Sequence, residues 1–422
     1  MRQNLVIIHR YVGLVMALFL VLAGSTGVFI AFYDELETFM HPQLMLVKPI
    51  PNQAMLSPIT LAENMQKKYP HAVFNRIKLQ QEAGKSFSFF VKVSPKAPQN
   101  ASMNDEIFVN PYTGEVVGER KWGDITQGTI NLLPFIYRLH FSLALDKIGR
   151  YALGIIALLW TLDCFVGAYL TFPARKRQST IQHKTNGDHW LNRWWKSWKV
   201  RWQSGFSKVN FDLHRATGLW IWAMLFVFAW SSVAFNLREV YNPVMETVLA
   251  KQRYGEDLPK LSKPLIKPIL DLRTALNTGR KLMQQVSVEK KFVINHESKI
   301  NYDASKGTYS YVVNSNRDVS EKTASTAIMF SAIDGKLLAV YLPTGEANGD
   351  TITQWLLALH MAHVWGLPMQ IFVSSIGLLV VVLSITGVII WLKKRKSRAI
   401  VHQIKNSKNH QKSTSAQTLA NT

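Results

Sequence analysis

Four long apolar blocks constrain this chain more than any other feature. They run Leu5–Tyr33, Tyr151–Phe172, Leu213–Leu237 and Leu367–Leu392 in a sequence of 422 residues. A helix rises about 1.5 Å per residue, so each block can cross a hydrocarbon layer of about 30 Å. Lipid offers no partner to backbone N–H and C=O groups, so each block is expected to be a helix. The chain therefore reads as a membrane α-helical protein with four transmembrane helices, at residues 5–33, 149–172, 211–238 and 367–392. The first block is too long for the apolar core of a signal peptide and reads as an uncleaved span. Two long segments (34–148 and 239–366), a loop (173–210) and a tail (393–422) remain.

The net charge of +22 would suit a nucleic-acid binder, but its placement does not. Between Pro173 and Asn210 there are nine Lys/Arg and one acid, and after Leu392 eight Lys/Arg and no acid. The long segments are nearly balanced, with 12 basic against 11 acidic residues from Asp34 to Lys147 and 15 against 13 from Glu239 to Gly366. Basic residues crowded on short segments beside spans mark the cytoplasmic side. Both termini are then expected inside, and the long segments face the periplasm or cell exterior. The single cysteine, Cys164, excludes an intrachain disulfide framework.

An internal repeat organises the spans. His9-Arg10-Tyr11-Val12-Gly13-Leu14 opens the first and His214-Arg215-Ala216-Thr217-Gly218-Leu219 the third. His140 precedes Gly167 by 27 residues, as His360 precedes Gly387, and both of those spans end in basic clusters, Arg175-Lys176-Arg177 and Lys393-Lys394-Arg395-Lys396. Span, outer segment, span thus occurs twice in parallel, an arrangement that tends to place a shared site at the repeat interface.

The outer segments repeat a pattern as well. In the first, a helix over Ser57–Tyr69 precedes short strands at Val73–Leu79, Phe87–Val93 and Glu106–Asn110, then a Pro-Tyr-Thr-Gly turn into Glu115-Val116-Val117. In the second, a helix over Pro264–Gln285 precedes strands near Lys291–Asn295, Thr308–Asn314 and Ala327–Ser331, then an Asp334-Gly335 turn into Lys336–Tyr341. Each reads as a small α+β module. Val109-Asn110-Pro111-Tyr112-Thr113-Gly114-Glu115-Val116 resembles the closing hairpin of a PepSY domain, and Phe330-Ser331-Ala332-Ile333-Asp334-Gly335-Lys336-Leu337 resembles it in a second copy. With the paired H-R-x-x-G-L starts, residues 1–395 resemble the PepSY-associated transmembrane proteins. The resemblance implies two periplasmic PepSY-like domains. It also implies kinship with inner-membrane siderophore reductases that carry haem between their helices.

Four of the twelve histidines occupy repeat-equivalent positions: His9 with His214, and His140 with His360. An imidazole in an apolar setting costs free energy unless it finds a partner. Each pair could supply two axial nitrogens to one haem iron; a zinc or copper ion, or a structural role, is the alternative. Gly13, Gly24, Gly27, Gly154, Gly167, Gly218, Gly377 and Gly387 would admit a flat macrocycle, or simply let helices pack. His140 is expected on a short interfacial helix, Ile130–Leu145, and His360 on Ile352–Trp365, before Gly366-Leu367-Pro368 breaks the helix. His363, three residues on, would share its face and serve as an alternative ligand, or serve the substrate or a propionate. Arg10, Arg215 and Arg138 suit haem propionates or topological anchoring. Asp163, an acid inside the second span, suits a proton acceptor or a hydrogen bond to a neighbouring span.

Trp190, Trp194, Trp198 and Trp202, interleaved with basic residues, predict an amphipathic helix on the inner leaflet of the lipid bilayer. No dinucleotide or P-loop fingerprint and no H-E-x-x-H occurs, so electrons would come from a membrane quinol or a separate reductase. The polar tail is expected to be disordered.

Two readings follow. In the first, two b-type haems (haem b) lie roughly 15–20 Å apart across the bilayer. Electrons pass through them to a ferric siderophore in a cleft between the outer domains, the substrate class being what the resemblance implies, with His363 as the catalytic candidate. In the second, the chain is a non-enzymatic PepSY protein that binds a partner such as a peptidase. Nucleic acid is expected in neither.

Overall fold

The computed structural model of the chain describes residues 1–94, 104–174 and 189–420. The Arg175-Lys176-Arg177 cluster lies outside the described residues. The helices run, in chain order, α1 (Arg2–Ile30), α2 (Tyr33–Met40), α3 (Pro42–Met45), α4 (Pro58–Lys68), α5 (Leu132–Ser142), α6 (Asp146–Thr171), α7 (Trp190–Trp195), α8 (Phe206–Trp220), α9 (Trp222–Asn236), α10 (Arg238–Val248), α11 (Leu272–Glu289), α12 (Asn348–His360) and α13 (Gly366–Ala420). The strands are β1 (Ala72–Val73), β2 (Arg76–Lys78), β3 (Phe87–Phe90), β4 (Lys92–Val93), β5 (Glu106–Val109), β6 (Val116–Arg120), β7 (Ile294–Asp303), β8 (Thr308–Ser315), β9 (Thr326–Ser331) and β10 (Leu337–Tyr341).

Among the described residues, α1, α6 and the Gly366–Val401 part of α13 are long and apolar enough to cross a membrane. The third expected span is not one straight helix: α8 and α9 meet at Ile221 with a bend of 68°, and the pair passes the same test only when taken together. Sharp kinks need a local cause. Here the indoles on either side of Ile221 are held by different elements, Trp220 Nε1 donating to the Trp198 carbonyl at 3.1 Å and Trp222 Nε1 to the Cys164 carbonyl at 2.9 Å. Leu18 is 75% and Leu162 60% exposed, apolar side chains turned outward as lipid-facing residues are.

Two further expectations change. The tail is helical to Ala420 rather than disordered. Beyond Pro368 the chain carries no proline, and no glycine follows Gly387, so nothing interrupts a helix already nucleated in the span. The tryptophan series is not one helix either. It breaks after α7 into a 3-10 turn at Lys196–Trp198, and Trp202 lies beyond it. Trp190 and Trp194 pack on Phe172, each with ring centroids at 5.4 Å, and Trp194 Nε1 donates to Thr171, so much of the aromatic face covers the end of α6.

The chain divides into two compact units. The first comprises Met1–Ser25, Ile155–Trp230 and Ser375–Thr422. Its helices approach closely where side chains are smallest: a Cβ on Gly24 would stand 2.8 Å from the Gly377 carbonyl oxygen. Asn210 donates to the Thr386 carbonyl at 3.1 Å, and Arg201 holds the buried Asp212 with bonds of 2.6 and 2.9 Å.

The second unit, Thr26–Gly154 and Ser231–Ser374, holds all three sheets. The second outer segment forms a meander, β7 to β10 in sequence order, with α11 packed on it through Ala275, Met283 and Val286; β8 to β10 lie where expected, whereas the first strand runs Ile294–Asp303 rather than near Lys291–Asn295. Its helix starts later than Pro264, at Leu272 behind an Asp271 cap, because the prolines at 264 and 268 oppose continuous helix. The two outer segments do not fold as separate modules. β2 of the first pairs with β7 of the second, Ile77 opposite Ile300, giving a five-stranded sheet β10-β9-β8-β7-β2. β3, β5 and β6 form a second sheet, and one apolar core contains Leu61, Phe89 and Ile107 together with Tyr311, Ile328 and Phe330. The two resembling hairpins close identically. Asn110 N–H donates to Glu115 and Gly114 N–H to Asn110; Ser331 N–H donates to Lys336 and Gly335 N–H to Ser331. Gly114 and Gly335 have φ of 77° and 74°, which favours glycine at both turns.

Candidate functional site

The repeat-equivalent histidines meet in pairs. His9 on α1 and His214 on α8 lie in the first unit, with ring centroids 6.2 Å apart and ring planes at 58°. His9 lies about two turns inside α1, which starts at Arg2. His140 on α5 and His360 at the end of α12 lie in the second unit, with centroids 6.4 Å apart and planes at 83°.

Each imidazole is fixed through Nδ1. That of His9 donates to the buried carboxylate of Asp163, 2.9 and 3.0 Å from its two oxygens. That of His214 donates to the Leu383 carbonyl at 3.0 Å and lies 3.2 Å from the Thr386 hydroxyl. His140 Nδ1 is 3.0 Å from Thr26 Oγ1, and His360 Nδ1 is 2.6 Å from Ser231 Oγ. A carboxylate and a carbonyl only accept, so His9 and His214 carry a ring proton on Nδ1, which leaves Nε2 as the nitrogen a metal would take. Burial first, and the facing His140 second, push His360 down to about 3, which also leaves it in the neutral, ligating form.

The partners follow the sequence repeat. Asp163 and Leu383 are separated by the same 220 residues as His140 and His360, and Thr26 and Ser231 each lie 17 residues after the histidine that opens their span. Glycines abut three rings. A Cβ would stand 3.3 Å from His140 Cε1 at Gly27, 3.5 Å from His9 Cε1 at Gly167 and 3.1 Å from His214 Cε1 at Gly387, whereas at Gly13, one turn from His9, it would meet nothing within 4 Å.

The ring spacing can be compared with what haem would require. Two imidazoles bound through Nε2 to one metal at about 2.0 Å each would set their ring centroids about 6.3 Å apart. Both pairs have that spacing. Haem iron asks only two axial ligands of the protein, whereas zinc takes three or four. Among the described residues no group of three or more His, Cys, Asp or Glu is arranged to hold a metal ion.

The remaining candidates separate. His363 does not share a helix face with His360. α12 ends at His360, Ala362 and Trp365 take left-handed φ of 55° and 58°, and the helix break falls here rather than at Pro368, which sits in the first turn of α13. His363 Nδ1 instead lies 3.0 Å from Thr323 Oγ1; burial and the Lys322 charge lower its pKa. Arg138 donates to the Gly123 carbonyl and Asp146, each at 3.1 Å. Arg215 donates to Asp212 and the Lys196 carbonyl, each at 3.0 Å, while its Nε is buried without a partner. Arg10 is partly buried on α1 beside His9. Asp163 takes the hydrogen bond to a neighbouring span expected of an acid at that depth.

Sequence reasoning missed Thr26 and Ser231, although their equal spacing from His9 and His214 is visible in the sequence. It also missed Arg120, 1% exposed, which donates to Glu106 at 2.7 Å and Glu37 at 2.8 Å and ties α2 to the second sheet. No curated protein matches the sequence. The family description "PepSY-associated TM region" matches residues 6–394, nearly the whole chain, which therefore belongs to that family.

Proposed function

We propose that this chain is a di-haem membrane oxidoreductase that delivers single electrons to a ferric siderophore, releasing ferrous iron for uptake. The observation that carries this reading is the pair of imidazole pairs, at 6.2 and 6.4 Å, each ring held through Nδ1. A bound b-type haem supplies a reversible one-electron couple in a range set by its axial ligands and their hydrogen bonds. His9 and His214 hold one haem, and His140 and His360 the other. Asp163, Thr26 and Ser231 orient the rings, and the abutting glycines keep the ring edges clear of side chains. The basic loop and tail favour both termini in the cytoplasm and the sheets in the periplasm. With haem bound, a membrane quinol or a separate reductase would supply the electrons, and the His140–His360 pair would be the exit. His363, beside that pair in sequence but turned to Thr323, serves the acceptor rather than the iron.

The test is a visible spectrum of the purified protein, followed by stopped-flow mixing of the dithionite-reduced form with ferric siderophore. A Soret band that sharpens on reduction, and haems reoxidised faster than in iron-free buffer, are the expected results. A folded, colourless protein would instead favour a PepSY protein that only binds a partner.

A further inference from the structure

The two histidine pairs match in spacing but differ in charge. Around the four rings the Nδ1 partners seen among the described residues are one acid, Asp163, at His9, a carbonyl and a hydroxyl at His214, and a hydroxyl each at His140 and His360. Asp163 is 8% exposed, and both its oxygens lie within 3.0 Å of the ring nitrogen. Its repeat counterpart is Leu383, whose backbone carbonyl makes the equivalent bond, so the first copy carries a charge that the second lacks. The nearby Arg215 does not cancel it: that guanidinium is held by Asp212, which Arg201 also clasps.

We propose that Asp163 is a positioning residue that makes the two redox sites unequal, holding the His9–His214 site at the lower reduction potential and so setting the direction of electron flow toward His140–His360. The inference rests on the di-haem reading above. A buried carboxylate acts on an axial histidine in two ways of the same sign. Its negative charge, in a low-dielectric setting, stabilises the more positive ferric state. Its hydrogen bond also draws the Nδ1 proton and raises the basicity of Nε2, which again favours ferric iron. Hydroxyl and carbonyl partners do the second weakly and the first not at all. In each transfer one electron leaves the His9–His214 site, which is oxidised, and one enters the His140–His360 site, which is reduced. A reductase replaces the lost electron singly, or one quinol replaces the electrons of two successive transfers and releases its two protons to water, and no bond forms or breaks in the protein.

The experiment is a spectroelectrochemical titration of the haem-loaded full chain. His360→Ala, which keeps only the His9–His214 site, assigns the two midpoints. Asp163→Asn is expected to raise the lower midpoint by at least a tenfold change in equilibrium, about 59 mV for one electron, and to leave the upper one in place. Ser231→Asp, which brings a carboxylate toward His360, is expected to lower the upper midpoint, and it gives an independent answer should Asp163→Asn fold poorly. The proposal is overturned if Asp163→Asn leaves the lower midpoint unmoved or shifts the upper one instead, or if Ser231→Asp leaves the upper one unmoved. Failure of the underlying reading looks different: a protein with no haem gives no midpoint at all.

Discussion

The His9–His214 and His140–His360 pairs are built alike and finished differently. Both join an imidazole from a first-copy helix to one from a second-copy helix, at nearly the same spacing, with Nδ1 held. One pair rests on a carboxylate and a carbonyl, the other on two hydroxyls. Ligand spacing is thus a property of the repeated framework, while the partner of each ring is free to vary between copies.

Substitutions can break this comparison at different depths. Replacing both His9 and His214 by Ala should remove one of two haems, about half the bound haem by pyridine haemochromogen assay, because no axial ligand then remains at that site. Full haem content in the double variant would withdraw the ligand assignment. Replacing His360 by Ala should remove the other half and abolish reduction of external ferric siderophore while the remaining haem is still reduced by dithionite. His363→Ala should keep both haems and at most slow the reaction. If His363→Ala loses the haem and His360→Ala retains it, the two roles must be exchanged.

Loss of a ring's Nδ1 partner should be milder. Ser231→Ala and Thr26→Val should weaken haem retention by about 10- to 100-fold, the usual cost of removing a hydrogen bond behind a metal-bound histidine. Competition with apomyoglobin would measure it, and no change for either variant would make these hydroxyls incidental. The smallest effect separates two glycines: Gly387→Ala should lower haem retention more than Gly167→Ala, since the new carbon would stand 3.1 Å from one ring and 3.5 Å from the other. Equal retention would mean that the rings yield freely.

Much of the site was readable in the sequence because it depends on short-range periodicity. The offset from His9 to His214, and from His140 to His360, survives folding since each histidine rides a regular helix whose apolar face is fixed. The last three strands of the second outer segment were legible for the same reason, with alternation bounded by turn residues such as Gly335, whereas the first lies several residues beyond its expected place. The pairing of β2 with β7 was not, because residue pattern marks a strand but not a partner more than 200 residues away. The bend at Ile221 was hidden too: no proline marks it, Gly218 one turn before it has its repeat counterpart Gly13 inside the unbroken α1, and the two indole hydrogen bonds beside it depend on tertiary contacts. His363 was misplaced because left-handed φ at Ala362 and Trp365 runs against residue preference, and only the surrounding structure imposes it.

The most direct measurement of the central claim is the haem-to-protein ratio of the purified full chain, taken with its reduced-minus-oxidised spectrum. Two imidazole pairs predict two b-type haems per chain, falling to one in His9→Ala/His214→Ala and to one in His140→Ala/His360→Ala. A folded chain that binds no haem, or whose haem content ignores all four histidines, would contradict the account.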